Sequence, residues 1–117
     1  MCGIFGYVGS ETDLGPAVLD ALKMLEYRGY DSWGVGIAVD GLIEIQKATG
    51  KISTASVDFP PADIGFGHTR WATHGGVTWE NAHPHLASSG KLAVIHNGIV
   101  ENFRQLKGEL EAEGRTF

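Results

Sequence analysis

The stretch Trp33-Gly34-Val35-Gly36-Ile37-Ala38-Val39-Asp40-Gly41-Leu42-Ile43-Glu44-Ile45-Gln46-Lys47 decides the fold class. Bulky residues at 33, 35, 37 and 39 alternate with Gly34, Gly36 and Ala38, the two-residue period of a strand with one bulky and one small face. Asp40-Gly41 is a hairpin turn signal, and Leu42 to Lys47 is the returning strand. Upstream, Ile4 to Val8 reads as a short buried strand punctuated by Gly3, Gly6 and Gly9. Thr12-Asp13 are placed to cap a helix entered at Pro16, and Val18, Leu19, Leu22 and Leu25 keep helical spacing as far as Arg28-Gly29. Downstream, Ile64 to Arg70 and Lys91 to His96 read as further strands separated by a polar, Gly- and Pro-rich loop. Asn102 caps a closing helix with Phe103, Leu106 and Leu110 as its core stripe, and Gly114 stops it. The order strand, helix, hairpin, strands, helix predicts an α+β domain with helices on one face of a largely antiparallel sheet.

Composition narrows the function classes. The chain has 117 residues, enough for at most one ordinary domain, and a formal net charge of −5. An acidic chain without a Lys/Arg cluster is not built to bind nucleic acid, since phosphate contacts supply most of that affinity. No apolar run approaches the ~20 residues that span a bilayer, and the start MCGIFGYVGSETD lacks the basic and apolar regions of a secretory signal. The single cysteine excludes an internal disulfide, which makes the cytoplasm the expected compartment. Seventeen glycines among 117 residues, roughly twice ordinary usage, call for turns or close backbone approaches.

Three segments carry residues suited to chemistry. Removal of Met1 makes Cys2 the terminal residue, joining a thiol (about 8.5) to an α-amine whose pKa of about 7.7–8.0 leaves it partly unprotonated at neutral pH. That amine can take the thiol proton. The same cysteine also serves as a small buried hydrophobe on the first strand. In His96-Asn97-Gly98, at a strand end, the Asn97 amide and the Gly98 N–H can form an oxyanion hole, or simply a turn. In His68-Thr69-Arg70-Trp71-Ala72-Thr73-His74-Gly75-Gly76, Arg70 suits bidentate capture of a carboxylate, and Gly75-Gly76 let the loop move; an exposed loop is the alternative. His83-Pro84-His85 with His68, His74 and His96 raises a zinc site. The absence of a cysteine pair or an HExxH pattern, and a proline that limits how His83 and His85 converge, assign these histidines to structure or substrate instead.

The order of these segments resembles a known family. Met1-Cys2-Gly3-Ile4-Phe5-Gly6 is similar to the start of the class II, N-terminal-nucleophile glutamine amidotransferases. Leu25-Glu26-Tyr27-Arg28-Gly29-Tyr30-Asp31-Ser32, Gly67 to Gly75, Asn81-Ala82-His83-Pro84-His85 and His96-Asn97-Gly98-Ile99-Val100-Glu101-Asn102 resemble the glutaminase domain of the glucosamine-6-phosphate synthase family. Amidophosphoribosyltransferases and asparagine synthetases share the CGI start and the HNG element but are less similar around EYRGYDS and HTRWATHG. A non-catalytic module binding a metal or a carboxylate ligand is the reading from a different class.

The resemblance implies a role for each position. Cys2 is the nucleophile and its amine the base, forming a glutamyl thioester and releasing ammonia from glutamine. Asn97 and Gly98 form the oxyanion hole, Arg70 binds the glutamine α-carboxylate, and Thr73 and His74 line the same site. Trp71 belongs to the loop that closes over glutamine and gates ammonia, and Arg28 matches a supporting arginine near the nucleophile. No cofactor and no metal are implied. The implied partners are glutamine and the sugar-isomerase domains that use the ammonia. The implied fold is an αββα sandwich of which residues 1–117 supply the N-terminal half, without the acidic residue that holds the glutamine α-amino group. By itself this half is expected to be a weak or inactive glutaminase, and an unprocessed precursor while Met1 remains attached.

Overall fold

The computed structural model describes residues 1–11 and 13–116. Strand β1 spans Gly3–Glu11, helix α1 Leu14–Lys23, β2 Ser32–Val39, β3 Leu42–Thr49 and β4 Ala62–Arg70, followed by β5 His85–Leu86, β6 Ala93–Val94 and α2 Phe103–Ala112. A single 3-10 turn, Glu26–Arg28, lies between α1 and β2. The first four strands form one sheet in the order β1-β4-β2-β3, and β5 pairs with β6 in a second, two-stranded one. Every pairing is antiparallel. The hairpin read from Asp40-Gly41 forms, with both residues at positive φ (50° and 78°), as the turn matching strand twist requires.

The central pairing is set by complementary alternation. Val35 lies opposite Gly67 and Ile37 opposite Gly65, whereas Gly36 lies opposite Phe66 and Gly34 opposite His68. Each strand is thus bulky where the other is bare. On one face α1 rests on the bare positions of β4: a Cβ at Gly67 would stand 2.5 Å from Leu22 Cδ1, and one at Gly65 2.8 Å from Leu14 Cγ. Leu14, Val18, Leu19 and Leu22 of α1 join Trp33, Val35 and Ile52 in the buried core. On the other face a Cβ at Gly34 would stand 2.2 Å from the His83 carbonyl oxygen, so the loop leading into β5 crosses β2 there. Farther along this face Ile4, Val8 and Ile64 are exposed.

Antiparallel pairing of β1 with β4 sets Gly3 opposite Thr69. The start of β1 and the end of β4 therefore deliver Cys2 and Arg70 to the same edge of the sheet.

Four expectations need correction. The closing helix forms, but none of its residues is buried: Phe103 is 53% exposed and Leu106 and Leu110 each 39%. Amphipathic spacing identifies an apolar face without saying what lies against it; here an open depression lined by Leu86, Leu92, Val94 and Leu110 runs beside it. The strand expected over Lys91 to His96 shrinks to Ala93–Val94, because only β5 is there to pair with it. The first helix ends at Lys23, and Arg28 sits in the 3-10 turn rather than at its last turn. Of the expected cap, Thr12 lies outside the described residues, and neither Asp13 nor Asn102 makes a side-chain capping bond.

The packing distinguishes glycines that matter from one that does not. Gly67→Ala is expected to destabilise the fold by about 1–3 kcal/mol through overpacking against Leu22 and the Gly34 carbonyl. Gly108→Ala, in α2 with nothing within 4 Å of the new methyl, is expected to be neutral or to stabilise by up to about 1 kcal/mol. Urea unfolding midpoints of the two variants check the contrast.

Candidate functional site

A cleft of about 610 Å³ opens where β1 starts and β4 ends. It gathers Cys2 from the chain start, Arg70 from the end of β4, Trp71, Thr73 and His74 from the loop that follows, and Asn97 and Gly98 from the loop after β6. Three distant segments meet because the β1–β4 pairing joins the first two and the β5–β6 pairing returns the third.

Cys2 is half-buried and touches the Trp71 peptide: the Trp71 N–H donates to Sγ at 3.3 Å, and the thiol donates to the Trp71 carbonyl at 3.7 Å. Arg28 lies behind the sulfur rather than in the cleft, its Nε donating to the Cys2 carbonyl at 3.3 Å. Arg70 is buried, only 8% exposed. Its Nη1 donates to the Gly76 carbonyl at 3.0 Å and its Nη2 to the His74 carbonyl. The glycine loop is therefore folded back onto the guanidinium. Both acceptors are neutral, so the positive charge stays available to an anionic ligand. Asn81 Nδ2 adds a bond to the Gly76 carbonyl at 3.1 Å. Trp71 is 41% exposed at the rim, its ring edge-on to Tyr30 with centroids 5.2 Å apart. Gly98 lies under the His96 imidazole, where a Cβ would meet Nε2 at 2.7 Å.

The floor of the cleft is a column of histidines. His68, fully buried in β4, packs edge-on against His83 at 4.5 Å, and His83 against His85 at 4.4 Å. The proline between His83 and His85 does not keep them apart, contrary to expectation. Among the described residues neither ring nitrogen of His68, nor Nδ1 of His83, has a hydrogen-bond partner. Burial, followed by the neighbouring His83 and Arg70, pushes His68 down to about 3. Burial, followed by His85 and Arg70, pushes His83 down to about 4. His85 is also lowered, by burial and then by Lys47 and Arg70. The column is thus neutral at pH 7, and no group of three or more His, Cys, Asp or Glu among the described residues is arranged to hold a metal ion.

Motif reading missed the residues that hold the loops. Lys47 Nζ donates to the Ala82 carbonyl at 2.7 Å and the Pro84 carbonyl at 3.3 Å, and lies 4.4 Å from the centre of the Trp79 ring. A lysine on a hairpin strand gives no sign of this in sequence. Asn81 was visible only as part of Asn81-Ala82-His83-Pro84-His85.

No protein-family model matches the chain. Over its whole length it is 50% identical to the glutamine–fructose-6-phosphate aminotransferase (isomerizing) of Corynebacterium efficiens, 54% to that of Leifsonia xyli and 53% to that of Aquifex aeolicus. Among solved structures it matches the glutamine phosphoribosylpyrophosphate amidotransferase from B. subtilis, complexed with ADP and GMP. That match has a TM-score of 0.74 and 29% identity over the whole chain and 26% of the other. Over its whole length the chain is similar to glutamine amidotransferases. A second structure, described as the allosteric regulatory enzyme of purine biosynthesis, matches with a TM-score of 0.79 and 30% identity over the same shares. The chain spans about a fifth of the length of its curated amidotransferase relatives, 20% in each of the three named. No helix among the described residues is long and apolar enough to cross a membrane.

The histidine column makes stability depend on pH. Its folded-state values lie below the unfolded value of 6.5, so the unfolded chain binds more protons as pH falls below 6.5. The stabilisation is complete above that value and is lost progressively toward pH 3–4. The urea midpoint is expected to drop between pH 7 and pH 4.5, and His68→Phe, which keeps a ring in place, to flatten that drop. A wild-type midpoint that stays level across this window contradicts the account.

Proposed function

We propose that this chain carries the glutaminase half-reaction of a glutamine–fructose-6-phosphate aminotransferase. The observation that carries the reading is the convergence of Cys2, the buried Arg70 and the Asn97-Gly98 loop on one cleft. Glutamine would enter with its α-carboxylate on Arg70, beside Thr73 and His74, and its carboxamide toward Cys2. The Cys2 amine accepts the thiol proton, and the sulfur attacks the carboxamide carbon. The tetrahedral oxygen takes hydrogen bonds from the Asn97 side chain and the Gly98 N–H. Collapse expels ammonia, with a proton from the amine, and leaves a glutamyl thioester; water then attacks that thioester, giving glutamate and the free thiol. Trp71, at the rim, covers the bound substrate and separates ammonia from water.

Identity of 50% with a fructose-6-phosphate aminotransferase, against 29% with the phosphoribosylpyrophosphate amidotransferase, supports fructose 6-phosphate as the final ammonia acceptor. Residues 1–117 correspond on this reading to the N-terminal part of the glutaminase domain. The sugar-isomerase function belongs to the remaining four-fifths of such enzymes. Soluble phosphorylated sugars and a lone thiol fit a cytoplasmic reaction.

The mechanism needs a free amine on Cys2. Met1 is 75% exposed, open to an aminopeptidase, and the reactive species is expected to be lighter by one methionine in an intact-mass measurement. In the full-length, processed enzyme a diazoketone analogue of glutamine is expected to label Cys2 stoichiometrically. Arg70→Ala should abolish labelling at low reagent concentration, and Asn97→Ala should lower glutamine hydrolysis about 100- to 1000-fold. Labelling indifferent to Arg70→Ala sinks the reading.

A further inference from the structure

The loop that folds back onto Arg70 has a second anchor. The Gly76 carbonyl oxygen accepts one bond from Arg70 Nη1 at 3.0 Å and another from Asn81 Nδ2 at 3.1 Å, which uses both lone pairs of one oxygen. A carbonyl only accepts, so the Asn81 amide must present its nitrogen here. Gly75 stands at a φ of 76°, and a Cβ on it would lie 3.2 Å from Asn81 Nδ2 and 3.6 Å from Arg70 Nη2. Amide and guanidinium therefore enclose the same turn of main chain. Asn81 itself rises from a fixed base. Its N–H donates to Thr78 Oγ1 at 3.3 Å, and the Ala82 N–H donates to the Thr78 and Trp79 carbonyls, each at 3.1 Å. Ala82 and Pro84 are buried, and Lys47 bonds both of their carbonyls. Asn81 lines the cleft beside Arg70, and none of the roles assigned above uses it.

We propose that Asn81 is a positioning residue for Arg70: its amide holds the Gly76 carbonyl where that oxygen orients the guanidinium, and its neutrality leaves the arginine's charge to the substrate. The proposal rests on Arg70 binding the glutamine α-carboxylate. A guanidinium carries five N–H donors in a rigid fork. The loop takes one from each Nη, and the other three are left for a carboxylate. Their direction is set by the loop carbonyls, so an oxygen that drifts takes the fork with it. Asn81 holds one of those oxygens from a base that does not depend on Arg70. A carboxylate in place of the amide would fail twice: it has no N–H for Gly76, and it offers Arg70 an internal partner in competition with the substrate.

That double failure supplies the test, because Asn81→Asp keeps the shape of the side chain whereas Asn81→Ala does not. In the full-length, processed enzyme Asn81→Ala is expected to raise KM for glutamine about three- to tenfold, the worth of one hydrogen bond. Asn81→Asp should raise it at least about tenfold further, since it sets a like charge beside the bound carboxylate. In both variants kcat should stay within about twofold of wild type, because carboxylate binding is lost equally from substrate and transition state. L-Glutamate carries the same α-carboxylate, and its Kd by titration calorimetry should weaken in the same order. A smaller change in Asn81→Asp than in Asn81→Ala shows that the residue only fills space and overturns the proposal. A fall in kcat at constant KM places Asn81 in the chemistry and overturns it too. Should Asn81→Asp fail to fold, Asn81→Ala decides alone: KM and glutamate Kd within about twofold of wild type refute the positioning role. An enzyme that binds glutamate in the expected order yet does not hydrolyse glutamine would remove the proposed function and leave the positioning of Arg70 standing. One that hydrolyses glutamine indifferently to both substitutions would do the reverse.

Discussion

The fold and the cleft depend on one steric arrangement, the complementary placing of glycine and bulk between β2 and β4. Where β2 carries Val35 and Ile37, β4 carries Gly67 and Gly65; where β4 carries Phe66 and His68, β2 carries Gly36 and Gly34. A one-residue slip would turn every side chain of one strand to the wrong face, crowding bulk against bulk on one face and leaving the other bare. One face of the pair admits α1 at van der Waals contact. The other admits the His83 backbone so closely that no Cβ fits at Gly34. The same register therefore makes the hydrophobic core and sets the height of the cleft floor.

With the floor fixed, three cations shape the walls, each bonded to backbone carbonyls. Lys47 holds Ala82 and Pro84, Arg70 holds His74 and Gly76, and Arg28 holds Cys2. A carbonyl satisfies a donor and orders a loop without cancelling its charge. Burial keeps the histidine column neutral, and the charges of Arg70 and, for His83 and His85, of Lys47 add to it. The cations also leave the cleft electropositive in a chain whose net charge is −5, a local inversion suited to an anionic substrate group. The ion pairs Lys23–Asp20 and Lys107–Glu111, by contrast, join neighbours on exposed helix surfaces and contribute little.

Much of this was legible in the residues, for identifiable reasons. The β2–β3 hairpin followed from two-residue alternation around Asp40-Gly41, and β1, α1 and β4 from local pattern; α1 buries the face its pattern marks, whereas β1, read as a buried strand, leaves Ile4 and Val8 exposed. The closing helix shows the limit: Phe103, Leu106 and Leu110 form a stripe, yet the stripe is exposed. Periodicity is a property of a segment and burial a property of its neighbours. The histidines failed differently. A proline between His83 and His85 suggested divergence, whereas the packing of both rings is set by β4 and by Lys47, forty residues of chain or fewer away but unconnected to them by any motif. Cys2, Arg70, Trp71, Thr73, His74, Asn97 and Gly98 could be grouped in advance because their segments resemble one family's; spacing alone left a buried cysteine, a surface loop and a turn equally open.

What no side-chain reading could supply is the set of main-chain groups around the sulfur and the cleft. The Trp71 N–H and C=O, the Gly98 N–H and the Cys2 carbonyl are backbone atoms, present at almost every position of any chain and therefore without a signature. Their capacity for chemistry lies wholly in orientation, and that is imposed from elsewhere: by Arg28 on Cys2, by Asp31 on the peptides flanking Trp71, by His96 against Gly98. The run Arg28-Gly29-Tyr30-Asp31 contributes a cation, a missing side chain and a carboxylate directed at main chain, and an aromatic ring packed against the Trp71 indole. A segment that contributes no group to the cleft lining can thus constrain its chemistry as tightly as one that does, because the donors it aims cannot aim themselves.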